Sequence, residues 1–181
     1  MEVLQVYDPK TYWIEEGLKD NPIMRKAHNA QIEPLLNVLD DLTFNTVIEL
    51  GAGWGRITKV LKEAYNINRY LAIDLSEARL SQIGADTKVA DITTYRNDER
   101  YDLVLAVELL LHIKPDDLPT VISNMKSMSN KYVVTLDYDP ISTIPLEEHN
   151  FKHDYNQYGN VKTVRISDKQ SIHIWEVSNE V

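Results

Sequence analysis

The chain has 181 residues, with 28 Asp and Glu against 19 Lys and Arg, a formal net charge of −9 and no cysteine. At ~100–200 residues per domain one domain is expected, and 43% hydrophobic with 26% charged residues is ordinary globular composition. The missing cysteine excludes disulfides, iron–sulfur clusters, thiolate zinc sites and cysteine nucleophiles. With no basic cluster larger than Arg25-Lys26, a nucleic-acid partner is not expected.

Short β-rich runs alternate with helical stretches along the chain, the pattern of an α/β fold with a mainly parallel sheet. Asn21-Pro22 reads as an N-cap and first-turn proline opening a helix to about residue 32, and Pro34 restarts a shorter helix ending near residues 40–41. A strand at 46–50 runs into a glycine turn, and a helical stripe of Ile57, Val60, Leu61 and Ala64 follows. Further strands are read at 69–74, 87–90, 101–107 and 132–136. Helices are read at 77–83, capped by Ser76, and from Pro115 or Asp116 to about Met128. Residues 161–166 and 172–177, joined by the turn 167–170, close the chain as an antiparallel hairpin. The expectation is one domain: a helical cap over 1–44 and a Rossmann-like core over 45–181, with seven mostly parallel strands and helices on both faces.

The longest apolar runs, 103–107 and 109–111, fall far short of a membrane span, and MEVLQVYDPK is unlike a signal peptide. A soluble cytoplasmic protein is expected.

The segment VIELGAGWGR at 47–56 carries the most chemistry. A buried strand feeding glycines into a helix lets a ligand approach the backbone and the helix N-terminus. The spacing is G-x-G-x-G rather than the dinucleotide G-x-G-x-x-G. Glu49, two positions before the first glycine, repels a pyrophosphate and suits an ammonium group. Asp74 ends the second strand, where a ribose diol is met, and Asp91 follows the third, where an exocyclic amine fits. Three acids at consecutive strand ends describe a ligand with an amino-acid head, a ribose and an adenine.

Over residues 46–136 the chain resembles the class I, seven-stranded Rossmann-like S-adenosylmethionine-dependent methyltransferases. The resemblance rests on VIELGAGWG, YLAIDLS, VADI and YDLVLAVELLLHI followed by a proline-opened helix. It implies S-adenosyl-L-methionine as cofactor. The turn Gly51, Ala52, Gly53, Trp54 and Gly55 would surround the methionine and ribose moieties, and Glu49 would serve the amino end. Asp74 with Leu75 would hold the ribose, and Asp91 with Ile92 the adenine. Glu108 and Leu109 would face the transferable methyl, and Tyr12-Trp13 would close over the cofactor. Two departures stand out: residues 91–100 are too short and polar for the usual helix, and only 141–160 separate strands five and six. They imply a small open site, or a homodimeric or other partner subunit that completes it.

Displacement at a methyl carbon needs alignment, and a base only where the acceptor keeps its proton. Glu108 and His112, four apart, share a face if the segment turns helically, and are the candidate catalytic pair. Asp137, Tyr138, His149 and His153 are candidate acceptor contacts. His149 and His153 with Asp154 or Asp137 have metal-ligand chemistry, but a hydrogen-bonding face is the stronger reading and no metal is expected. The chain has no Asn/Asp-Pro-Pro-Tyr motif for base-amino methylation and no cysteine for the covalent route to pyrimidine C5. The expected reaction is methylation of a small molecule at oxygen or nitrogen. A protein side-chain acceptor and an inactive cofactor-binding partner subunit are the alternatives; glycine spacing and Glu49 disfavour an NAD oxidoreductase.

Overall fold

The computed structural model describes residues 8–19, 29–147 and 149–177, so the helix expected from Asn21-Pro22 lies largely outside the described residues. Helix α1, Pro9–Gly17, starts where Asp8 accepts from the Thr11 N–H at 3.1 Å and Pro9 takes the first helical position. A 3-10 turn at Asn29–Gln31 leads into α2, Ile32–Leu39, where the missing N–H of Pro34 falls harmlessly in the first turn.

The strands are β1 Thr46–Leu50, β2 Arg69–Asp74, β3 Asp86–Val89, β4 Tyr101–Val107, β5 Ser129–Tyr138, β6 Lys162–Arg165 and β7 Gln170–Glu176. They form one sheet in the order β3-β2-β1-β4-β5-β7-β6. The first five are parallel, and β7 runs antiparallel to both neighbours. Helices α3 Arg56–Ala64, α4 Glu77–Leu80 and α5 Leu118–Ser127 complete the elements.

Alternate residues of β1 and β4 point to opposite cores. Ile48, Leu50, Val104 and Ala106 pack with Val121, Ile122 and Met125 of α5 and with Trp175. Val47, Leu103 and Leu105 pack with Leu35, Leu39, Ile57 and Leu61 of α2 and α3. Burial on both faces is why β4 reads as a continuous apolar run. Strand order reverses between β1 and β4, and a crevice opens there beyond the carboxyl ends.

Three boundaries move from their expected places. Helix α5 begins at Leu118, because residues 115–117 form a turn and Pro119 occupies its first turn instead of Pro115. Strand β5 extends over 129–138, since it is paired by β4 on one side and β7 on the other. Helix α4 stops after four residues. Residues 91–100 hold turns and no helix, as their brevity and polarity indicate. Among the described residues, no helix is long and apolar enough to cross a membrane.

Gly55 joins the turn to α3 with φ 76, and a Cβ there would stand 2.8 Å from Ile83 Cγ1. The left-handed backbone and the contact together make Gly55→Ala destabilising by about 1–3 kcal/mol. Urea unfolding should show a lower midpoint at an unchanged slope; a wild-type midpoint would contradict the assignment.

Candidate functional site

One backbone hydrogen bond and one carboxylate build the crevice floor. The Ala52 N–H donates to the Ile73 carbonyl at 2.9 Å, locking the glycine turn to the end of β2. Asp74, the last residue of β2, accepts from Gly53 N–H at 2.9 Å with one oxygen and from Ser76 N–H at 2.9 Å with the other. The carboxylate thus ties the turn to the start of α4, where Ser76 is the N-cap.

The crevice has a volume of about 270 Å³. Gly51, Asp74, Leu75, Asp91 and Ile92 line it from β1, β2 and β3; Glu108, Leu109 and His112 line it from the segment after β4; Trp13 lines it from α1. Nine of the residues singled out in the sequence therefore meet in one cavity. Asp91 Oδ1 accepts from the Thr93 N–H at 3.0 Å and hydroxyl at 2.7 Å, which turns the chain after β3.

Glu108 is the one non-glycine residue with positive φ, at 53, among the described residues. Its N–H donates to the Leu136 carbonyl at 2.7 Å, continuing the β4–β5 ladder past the strand end. Its carboxylate accepts from Gln170 Nε2 at 3.0 Å and lies 3.6 Å from Arg56. A left-handed glutamate held at a crevice by a cation and an amide is strain concentrated where chemistry is expected. Arg56 and Gln170 escaped sequence reasoning: the first reads as a helix start and the second as part of a hairpin turn.

His112 ends the 3-10 turn Leu110–His112, which brings it round to the same cavity as Glu108. Its Nδ1 lies 3.3 Å from the His149 carbonyl oxygen, so Nδ1 carries the hydrogen and Nε2 the lone pair. Burial pushes the imidazole down to about 4, leaving it neutral at pH 7. The rings of Trp13 and His149 lie 4.3 and 5.5 Å away, and Tyr12 stacks on His149 at 5.0 Å.

Other expected residues are elsewhere. The Glu49 carboxylate is absent from the crevice wall; it points to the α3 face with Val47 and accepts from the hydroxyls of Thr58 and Tyr70, the latter at 2.6 Å. Strand alternation explains this correction, since the next residue, Leu50, faces the opposite core. Asp137 is buried too, accepting from the Leu111 N–H at 3.2 Å and the Tyr155 hydroxyl at 3.3 Å, and burial holds its carboxyl well above the usual range. It is closed to an acceptor. The His153 ring donates to the Leu110 carbonyl at 2.9 Å inside the fold, whereas His149 pairs with Glu147 at 3.2 Å. The two histidines diverge, and among the described residues no three His, Asp or Glu side chains gather as a metal-binding group. Tyr138 is half-buried, and Ala52, Gly53, Trp54 and Gly55 stand behind the wall rather than in it.

The comparisons with known proteins concern the sequence and the fold. Residues 47–131 match the family described as "Methyltransferase domain". The match lies in the part of the chain that carries the glycine turn and strands β1 to β4. The chain is 30% identical over 109 residues to (S)-coclaurine N-methyltransferase of Thalictrum flavum subsp. glaucum, spanning 55% of this chain and only 30% of that relative. Its fold is shared with magnesium protoporphyrin IX methyltransferase of Synechocystis PCC 6803, solved with bound SAM, at a TM-score of 0.70, 13% identity and coverage of 97% of this chain and 100% of that one. The N-methyltransferase NodS of Bradyrhizobium japonicum WM9, solved with S-adenosyl-L-homocysteine, gives a TM-score of 0.68 at 15% identity over 94% of this chain and 99% of the other.

Glu49 gives the chain a pH signature. Burial pushes its carboxyl up to about 7 from an ordinary 4.5. The folded state therefore holds a proton that the unfolded chain releases, and stability present below pH 4.5 is lost as the pH rises to about 7. A shift of this size corresponds to on the order of 3 kcal/mol. His112 and His173, both pushed down to about 4, act with the opposite sign, gaining stability as the pH rises from about 4 to 6.5. Comparison with Glu49→Gln isolates the acid. In urea unfolding, the wild-type stability relative to the variant should fall by roughly 3 kcal/mol between about pH 4.5 and 7.5; parallel pH profiles would refute it.

Proposed function

We propose that the chain transfers the methyl group of S-adenosylmethionine to a small-molecule acceptor, at oxygen or nitrogen, by direct displacement. One observation carries the reading: Asp74, Asp91 and Glu108, from the ends of three strands, share a single crevice with the glycine turn of a methyltransferase domain. The cofactor reading is supported by relatives solved with SAM or SAH and by the donor set itself. A Cβ at Gly53 would meet nothing within 4 Å, so the turn leaves open space beside its backbone.

S-adenosylmethionine, when bound, supplies a methyl carbon whose bond to sulfur breaks, with the electron pair passing to sulfur, as the acceptor's lone pair forms the new bond. The chain's part is to bind and align. Each Asp74 oxygen accepts one backbone N–H and keeps a lone pair for a ribose hydroxyl. Asp91 spends Oδ1 on Thr93 and keeps Oδ2 for an exocyclic amine, beside the apolar walls of Leu75, Ile92 and Leu109. Gly51 lines the methionine end, with the rest of the turn behind it, and Trp13 closes the crevice from α1. Glu49 acts behind the turn, holding α3 to the sheet through Thr58. Glu108, between Arg56 and Gln170, places negative charge beside the turn. Neutral His112 takes the proton that an O–H or N–H acceptor loses.

The crevice volume of about 270 Å³ supports a second reading. Sites for drug-sized ligands run to roughly 300–1,000 Å³, so a cofactor nearly fills this one. A second copy or a partner subunit would then complete the acceptor site, and the chain alone would bind the cofactor without turnover.

Incubation with methyl-labelled S-adenosylmethionine and a panel of small amines, phenols and carboxylates should label at least one acceptor. Asp74→Ala should weaken S-adenosylhomocysteine binding about 10–100-fold by calorimetry, the scale of lost charge-assisted hydrogen bonds. Unchanged affinity in a folded variant would remove Asp74 from the site, and binding with no label transferred would favour the second reading.

A further inference from the structure

Beside its strand-end acids, the crevice also carries cationic donors. Lys10 on α1, Arg79 on α4 and Lys114 beyond the 3-10 turn all line it. Among the described residues no carboxylate forms an ion pair with any of the three. The acids of the same crevice hold other partners: Asp8 the Thr11 N–H, Asp74 two backbone N–H groups, Asp91 Thr93, and Glu108 Gln170 and Arg56; the lone pairs they keep are those the cofactor would use. Asp117, on the exposed rim, is the exception.

Two stranded donors point the same way. Arg79 Nε and the Trp13 indole Nε1 are buried without an acceptor among the described residues. Buried donors are nearly always satisfied, by protein, water or ligand. The Arg79 guanidinium sits 5.6 Å from the Trp13 ring and 5.9 Å from the Trp54 ring. These ring faces hold the cation in place without taking up its in-plane N–H groups, a preorganised fork for a planar or tetrahedral anion.

We propose that the methyl acceptor carries an anionic group, a carboxylate or a phosphate, received by Arg79, Lys10 and Lys114 with the Trp13 indole as a further donor. The inference rests on the methyl-transfer reading. A sulfonium cofactor with its ribose and adenine would engage the strand-end acids and leave these cations of the same crevice for the acceptor. In a chain of net charge −9, three cations in one crevice, none in an ion pair among the described residues, are a selective device rather than a general attraction for anions.

The test is a two-step titration of the full chain, read on the Trp13 indole N–H resonance and assigned with Trp13→Phe. Saturation with S-adenosylhomocysteine comes first, because that ligand brings its own carboxylate. Benzoate and inorganic phosphate are then added separately, at ionic strength held constant with sodium chloride. At least one anion should shift the resonance saturably, and the two arms distinguish carboxylate from phosphate. Arg79→Gln and the exposed double variant Lys10→Gln/Lys114→Gln should each weaken that binding about tenfold or more, with an unmoved Trp175 signal showing an intact fold. If S-adenosylhomocysteine binds but neither anion shifts Trp13, or if folded variants bind as the wild type does, the inference is overturned. If S-adenosylhomocysteine itself fails to bind, the methyl-transfer reading falls and this inference falls with it.

Discussion

The two oxygens of Asp74 hold the site together. One accepts from the glycine turn that follows β1, the other from the first residue of the α4 cap, and the carboxylate ends β2. Two segments distant in sequence, the glycine turn and the β2–α4 junction, are thus pinned at one strand end, and the wall between Gly51 and Leu75 takes its shape from them. The parallel sheet makes this possible, because β1, β2 and β4 all end on the same side and in register.

Around that pin, burial sorts the acids into different roles. Asp74, Asp91 and Glu108 reach the crevice, each with oxygen lone pairs still to offer. Glu49 and Asp137 are enclosed, and burial raises the carboxyls of both. Some of the acidity is therefore structural: Glu49 bridges β1 to α3 and β2 through Thr58 and Tyr70, and Asp137 anchors the segment after β4 through Leu111. The same segment is strained at Glu108, and its 3-10 turn delivers His112 beside Trp13.

The sheet was largely legible in the sequence because buried parallel strands are continuous apolar runs; β1, β2 and β4 lie at the expected residues. The short glycine turn, with its positive φ angles, was equally plain. Two local signals misled. Pro115 and Pro119 both look like helix openers, and only the packing of Leu118, Val121 and Ile122 selects the second. Glu49 lies one residue before the strand end, and a period of two turned it away from the crevice that its neighbours share. Arg79 and Gln170 could not be found at all from sequence. Their importance comes from long-range approach, to Trp13 in one case and to Glu108 in the other.

A crevice built this way has one ligand preference. Its glycine spacing and its three available acids suit a cationic sulfonium with a ribose and an adenine, and they oppose a pyrophosphate. Calorimetric titration of the chain with S-adenosylmethionine and, separately, with NAD measures that preference directly. The predicted result is saturable one-to-one binding of S-adenosylmethionine and no heat of binding from NAD. Binding of NAD in its place, or of neither ligand, would contradict the account.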